Sequence, residues 1–294
     1  RQRQMCIRDS RECGHEGTAR AYASSLRSMQ RYLGKKDFPF IKLSSRIISD
    51  YQGKLLASGI CDNTIGFYLH NIKALFRKGC REMGLELPCP FRDISIKTEK
   101  TLKRSLDPVV IKTLSAIELE KDSPLSLARD IFMFSFYTRG MSFVDIALLK
   151  KRHVFPGEIC YRRHKTDQLM RVGINKEISR ILERYKNVPG EYIFPLFPAE
   201  RDPYAGYRSA YHRIRYSLGK ISRVIGLEFP LRLHAARHSW ATIAKVNGAS
   251  VHVIGECLGH TSEKTTRIYL KELDHSALDA VNNQVADFIL AVDD

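Results

Sequence analysis

Apolar and polar positions along the chain fall into two regimes. Over residues 17–85 the apolar positions recur at intervals of three and four. In TARAYASSLRSMQRYLG, Tyr22, Leu26, Met29 and Leu33 share one helical face, and Gly34 ends the run. Ser44 or Ser45 starts a second expected helix that runs to about Ala57 and closes at Gly59. The third segment, NTIGFYLHNIKALFRKGCREMG, sets Ile65, Tyr68, Leu69, Ile72, Leu75 and Phe76 on one stripe and stops at Gly84. Its other side carries His70, Lys73, Arg77, Lys78 and Arg81. That side is either a solvated charged face or one that lies against phosphates, with Lys73, Arg77 and Lys78 as the contacts.

Residues 88–106, PCPFRDISIKTEKTLKRSL, have prolines and basic residues but no helical period, and read as a linker. Beyond it the pattern predicts helices with one small sheet. Residues 124–137 form an apolar helix broken at TRG, and another helix is expected through Lys150. Two strand-like runs flank KTDQ and predict a hairpin. Helices follow to the end, where Leu278, Val281, Val285, Phe288 and Ile289 form a stripe that would pack on its own domain or dock on a neighbouring protomer. The predicted fold is mainly α with a small antiparallel β-sheet, in two domains. Their bounds are 11–88 for a helical domain, 89–106 for a basic linker and 107–294 for an α+β domain. Residues 1–10, RQRQMCIRDS, stand apart. Met5–Ser10 back-translate to a sequence resembling a transposon end used as a library adapter, so these residues are expected to be non-native and the natural N-terminus to be missing.

Composition narrows the partners. The net charge is +16. Residues 11–104 hold 18 Lys and Arg against 9 Asp and Glu, whereas residues 105–294 hold 27 against 22. A basic front half suits a polyanion, most simply nucleic acid. The longest apolar run, IFMFSFY, is too short to span a bilayer, so no membrane partner is expected. The 7 cysteines are scattered and contain no CxxC pair, which fits a reducing, cytoplasmic setting.

Candidate chemistry gathers near the end. In LRLHAARHSWAT, His234 shares a helical face with Arg237 and with His238, so a histidine and an arginine could reach one phosphate. A zinc reading through the two histidines lacks a glutamate and a third ligand, and no metal is expected. In LGHTSEKTTRIYL a helix ends at Gly259, His260 occupies the turn, Thr261 or Ser262 caps the next helix, and Tyr269 follows nine residues after His260. A phenol, with a pKa of ~10, attacks well only among cations, and His234, Arg237 and His260 would supply such a setting.

HAARH, then LGH, then that tyrosine resemble the catalytic box of the tyrosine recombinases, the phage-integrase family, over roughly residues 17–290. The resemblance implies a core-site-binding front domain and a catalytic remainder, with Lys165 of KTDQ as catalytic lysine. In the family's first arginine position stands Ser142, which with Asp145 resembles a helix capping pair. The second guanidinium would come from Arg139, the favoured choice, or from Arg162 or Arg163 on the hairpin. Arg163 is also a candidate DNA contact. A branch of integrases from mobile elements of Bacteroides-like bacteria carries the same T-R-G-M-S run.

The implied activity is site-specific strand exchange through a 3′-phosphotyrosyl bond, without metal, nucleotide or other cofactor. Tyr269 would be the nucleophile and Lys165 the acid, with Arg237 and Arg139 as the phosphate clamp and His234 and His260 assisting. The implied partners are duplex DNA with specific core sites, further copies making a tetramer on paired sites, and an accessory DNA-bending protein in some systems. The expected location is cytoplasmic, on the nucleoid. Two other readings stay open: a topoisomerase IB-like nicking and resealing enzyme, and a non-catalytic DNA-binding protein. Retention of Lys165, His234, Arg237, His260 and Tyr269 speaks against the latter.

Overall fold

A computed structural model of the chain describes residues 16–34, 38–39, 42–97, 99, 105–197, 203–260 and 262–270. The adapter-like residues 1–10 and the apolar stripe from Leu278 to Ile289 lie outside the described residues. The chain divides into two units, Arg1–Thr101 and Leu102–Asp294.

The first unit is helical, as its periodicity requires. Helices α1 (Glu16–Leu33), α2 (Ser45–Ala57) and α3 (Asp62–Glu82) bury Met29, Ile48, Tyr51, Leu55, Ile65, Leu69, Ile72 and Phe76 against one another. The Ser44 hydroxyl caps α2 by accepting from the Ile47 N–H at 3.4 Å. Tyr51 donates its buried hydroxyl to Ser28 Oγ at 2.8 Å, which ties α2 to α1. Gly34, Gly59 and Gly84 sit where the helices end, all at positive φ.

The segment expected as a linker over 89–106 is in large part packed. Phe91 is 2% exposed within the core of the first unit, with Ile94 and Ile96 beside it. A Cβ at Gly66 of α3 would stand 3.1 Å from Ile96 Cγ2, so the returning strand of chain rests on that helix. Gln52 donates to the Ser95 carbonyl at 3.0 Å, and Asn63 exchanges two hydrogen bonds with the backbone of Glu99. At the other end Leu106 belongs to the core of the second unit, and its N–H donates to Ser239 Oγ at 2.7 Å. A Pro-rich, aperiodic stretch can pack as well as tether, because isolated apolar residues such as Phe91 need no period to be buried.

The second unit is built on α5 (Pro124–Tyr137), which follows α4 (Pro108–Ala116). Apolar on most sides, α5 is surrounded, and it buries Ala128, Ile131, Phe132, Met133 and Phe134. Its neighbours are α4, α7 (Lys176–Arg184), α8 (Pro203–Val224) and α9 (Leu233–Val246). Buried Asp130 pins α5 to the end of α7, accepting from Arg184 at 2.8 Å and from the Tyr185 hydroxyl at 2.9 Å.

The helix expected through Lys150 is shorter. Helix α6 spans only Phe143–Ala147, and the chain then pairs with residues 191–193. Lys151 N–H donates to the Glu191 carbonyl at 2.8 Å and Ile193 N–H to the Leu149 carbonyl at 3.0 Å. Those backbone partners compete with further helical bonds. The hairpin forms from β2 (Glu158–Arg162) and β3 (Leu169–Gly173). A two-residue strand β1 (Val154–Phe155), too short to show a period, joins it as a third, in the antiparallel order β1-β2-β3. Register pairs Tyr161 with Met170 and Ile159 with Val172, so one face of the sheet is buried. Helices α10 (Val251–Leu258) and α11 (Glu263–Tyr269) follow α9.

Phe91→Ala should therefore destabilise the first unit by about 3–5 kcal/mol, read as a lower urea midpoint. An exposed linker residue would move it by less than about 0.5 kcal/mol.

Candidate active site

The site is assembled around one turn and one buried guanidinium. Helix α5 ends at Thr138, whose hydroxyl donates to the Phe134 carbonyl at 2.6 Å. Arg139 and Gly140 then adopt φ of 60° and 75°, two successive left-handed residues. For arginine this conformation costs about 1–2 kcal/mol, so the surroundings must hold it. They do so through Gly140 N–H, which donates to the Ser135 carbonyl at 2.7 Å, and through Ser135 Oγ, which donates to the Met141 carbonyl at 2.8 Å. A Cβ at Gly140 would lie 2.5 to 2.8 Å from Cγ, Cβ and Cα of Arg237. The turn is thus moulded flush onto α9, and only glycine fits there.

Arg237, 5% exposed, donates from Nη1 to the Gly140 carbonyl at 2.8 Å and from Nη2 to the Leu258 carbonyl. Nη2 also lies 3.0 Å from His260 Nε2. A guanidinium only donates, so Nε2 accepts, and a neutral imidazole then carries its proton on Nδ1. That nitrogen donates to Thr266 Oγ1 at 3.0 Å. Burial, then the charges of Arg237, Arg163 and Lys165, lowers the His260 pKa from 6.5 to about 4.

The β2–β3 turn is fastened to the same place. Arg163 donates from its guanidinium to the Gly259 carbonyl, while its backbone closes the turn through Gln168 and Asp167, each at 2.8 Å. Gly259 ends α10 at φ 63°, and a Cβ there would lie 2.9 Å from Met170 Sδ and 3.2 Å from Gln168 Oε1. Lys165 stands exposed at the tip of the turn. Asp145, 5% exposed, accepts from the His164 N–H at 2.8 Å and from Ser142 Oγ at 2.6 Å. The expected Ser142–Asp145 pair therefore forms, but as hydroxyl to carboxylate; the Ser142 side chain accepts no capping N–H. The carboxylate's other oxygen is committed to the hairpin, which draws it away from the helix end.

The sequence-predicted residues are placed as follows. Arg237, His260, Arg163 and Lys165 converge, since all three cations bear on His260. Arg139 joins them around Tyr161. Burial foremost and then Asp145 raise that phenol's pKa, and Arg163, Arg237 and Arg139 oppose them. Arg162 is turned aside, donating to the Asp167 carbonyl at 3.0 Å. His234 is exposed on α9, its ring edge-on to His238 with centroids 4.8 Å apart. Tyr269 is the last residue of α11, three positions after Thr266. In the first unit Arg77 is exposed, Lys73 is half-buried, and Lys78 lies 3.6 Å from Glu82. Among the described residues no group of three His, Cys, Asp or Glu could hold a metal ion. Among them, too, no helix is long and apolar enough to cross a membrane.

Sequence reasoning did not single out three features. One is Thr266, for which the TT pair before Tyr269 was the only signal. Another is Gly255, where a Cβ would meet Thr266 Oγ1 at 2.8 Å. The third is helix α8, which has no acidic residue and exposes Arg208, Arg215, Lys220 and Arg223. There Lys220 Nζ sits 4.8 Å from the centroid of the Tyr216 ring, itself 65% exposed.

This architecture is shared. The Phage integrase family profile matches residues 105–275, and the Phage integrase SAM-like domain profile matches residues 4–91. The chain belongs to the phage integrase family of tyrosine recombinases, enzymes that transfer DNA strands. It is 26% identical over 226 residues to tyrosine recombinase XerC of Shewanella oneidensis, covering 74% of this chain and 70% of that one. Against tyrosine recombinase XerD of Pseudomonas putida it is 24% identical over 262 residues, 86% of each protein. The fold is that of the Tn1549 transposon integrase solved with a circular intermediate DNA, with a TM-score of 0.68, 15% identity and 97% and 99% of the two chains covered. A lambda integrase dimer bound to a COC′ core site superposes with a TM-score of 0.65 at 17% identity, covering 88% and 91%.

Two outcomes follow. Gly140→Ala should cost more than about 3 kcal/mol, since both the positive φ and the Arg237 contact oppose a methyl group; chemical denaturation reads it. His260 should stay neutral from about pH 8 to about pH 5, as read from its ring resonances. The unfolded chain takes up that proton near pH 6.5 and the folded one only near 4, so stability falls as pH drops through that window.

Proposed function

We propose that this chain cuts and rejoins DNA at specific sites through a 3′-phosphotyrosyl bond at Tyr269, in the service of a mobile element. The observation that carries the reading is the contact of buried Arg237 with half-buried His260, closed in by Arg163 and Lys165, His260 also bonding Thr266 three residues before Tyr269. Preorganised cations of this kind stabilise the charge that gathers on non-bridging oxygens when a phosphate becomes pentavalent.

In the proposed step the Tyr269 oxygen bonds to phosphorus and the bond to the 5′ oxygen breaks. Lys165 gives that oxygen a proton, and exposed His234 takes the proton of the phenol. One phosphorus–oxygen bond replaces another, so rejoining is the same step run backwards and needs no nucleotide. His260, neutral and with its Nε2 lone pair towards Arg237, orients the guanidinium. Arg139 is the favoured second clamp, because Arg162 is engaged by Asp167 and Arg163 by Gly259, whereas Arg139 projects from a turn held against Arg237.

The chemistry touches only the DNA backbone, so site choice rests elsewhere. The exposed side of α3, with Lys73 and Arg77, and the acid-free strip of α8 supply phosphate contacts in the two units. Duplex core sites and further copies of the chain, four on two paired sites, are the proposed partners, with an accessory bending protein where the target resists bending. The T-R-G-M-S run at residues 138–142 and the near-complete overlap with the Tn1549 transposon integrase favour a mobile-element integrase. The XerC and XerD relatives favour a second reading, a resolvase acting on a chromosomal site.

Mixing the protein with a nicked duplex carrying the element's junction should give a DNA-linked band on a denaturing gel. Tyr269→Phe should abolish the band, and Arg139→Ala should slow its formation roughly 100- to 1000-fold. An unchanged rate in Arg139→Ala would move the second clamp to the hairpin. A band that joins only chromosomal sites would favour the resolvase. In a separate titration, replacing Arg215 or Lys220 by alanine should each lower the salt dependence of DNA binding by about one counterion.

A further inference from the structure

Among the described side chains of the helix that ends at Tyr269, Thr266 is the buried one. Thr266 is 0% exposed, and its Oγ1 lies 3.0 Å from His260 Nδ1. The other imidazole nitrogen faces Arg237 Nη2 at 3.0 Å, which can only donate. These two contacts are mutually dependent. If the imidazole proton moved to Nε2, two donors would face each other and Arg237 would lose its ring partner. Arg237 thus keeps the proton on Nδ1, and Thr266 Oγ1 is the acceptor that receives it and fixes the direction of the ring. Space for that hydroxyl is set from the opposite side, where a Cβ at Gly255 would come within 2.8 Å of it. Helix α10 therefore carries a glycine where α11 brings in its threonine, and α10 and α11 pack directly.

We propose that Thr266 is a positioning residue of the strand-transfer reaction: its hydroxyl accepts the His260 Nδ1 proton and, through that bond, fixes the orientation of the ring and the register of α11. The proposal rests on the reading of Tyr269 as nucleophile. Thr266 and Tyr269 are three residues apart on a seven-residue helix, so a shift at the first carries the backbone of the second with it. Arg237, His260 and Thr266 form one hydrogen-bonded chain from the phosphate-clamping guanidinium to the nucleophile's helix. Its function is geometric, because a displacement of about 1 Å at a reacting atom can cost two orders of magnitude in rate.

The test uses the full chain in three versions. T266V removes the hydroxyl at nearly constant volume, T266S keeps it, and Tyr269→Phe is the control for the nucleophile. Nitrogen-15 resonances of the His260 ring report which nitrogen carries the proton, and need no DNA. Single-turnover cleavage of a nicked duplex gives the rate. Wild type and T266S should show the proton on Nδ1 and rates within about 2-fold of each other. T266V should leave the Nδ1–H without its acceptor, shift that nitrogen's resonance and cleave roughly 10-fold more slowly, the loss of one hydrogen bond expressed as a rate. Should T266V lose its helical circular dichroism, T266A is measured in its place. An unchanged Nδ1 resonance and full rate without the hydroxyl would overturn the proposal. So would a T266S as slow as T266V, which would make the methyl group the part that matters. An adduct that survives Tyr269→Phe would instead sink the nucleophile assignment, and the ring signal would still report whether Thr266 holds the His260 ring.

Discussion

The second unit depends on the burial of one cation. A guanidinium withdrawn from water costs several kcal/mol unless its N–H groups are matched, and three partners of Arg237 come from two separated stretches. They are the carbonyl of Gly140, the carbonyl of Leu258 and the ring of His260. Matching its two Nη groups brings the end of α5, the start of α9 and the end of α10 to a common point. Gly140 and Gly259 are placed where the approach is too close for a side chain.

Around that point positive charge is concentrated. Arg163 and Lys165 come from the hairpin and Arg139 from the turn, and buried Asp145 braces the assembly by joining Ser142 to His164. Burial foremost, and then these charges, keep the pKa of His260 low, and a charged ring would add to the repulsion. A cluster of this sign suits an anionic guest, which would bring the negative charge it lacks.

Much of this was legible in the sequence. The three helices of the first unit follow from period and glycine stops, because each buries one face only. The HAARH and LGH segments marked where Arg237 and His260 meet, and the KTDQ turn marked the hairpin. Other features depended on contacts between residues far apart, which no local pattern encodes. Helix α6 stops early because the chain after it finds backbone partners near Glu191. Phe91 is packed although its neighbourhood has no period. Ser142 looked like a cap and proved to be a donor to Asp145, since the carboxylate is shared with a hairpin twenty residues on. The acid-free strip of α8 was visible in the letters but meant little until the helix had an outside.

The moulding of Gly140 against Arg237 also bears on the order of assembly. The left-handed pair at residues 139 and 140 is costly in isolation, and the carbonyl that receives Arg237 has its partner only once α9 has docked on α5. The residues of the turn can therefore take their working shape only late, in a unit whose core is already formed. A nascent or half-unfolded chain carries every chemical group of the site yet holds them in no common geometry. Competence to break DNA is in this way tied to completion of the fold, a safeguard that needs no separate inhibitor.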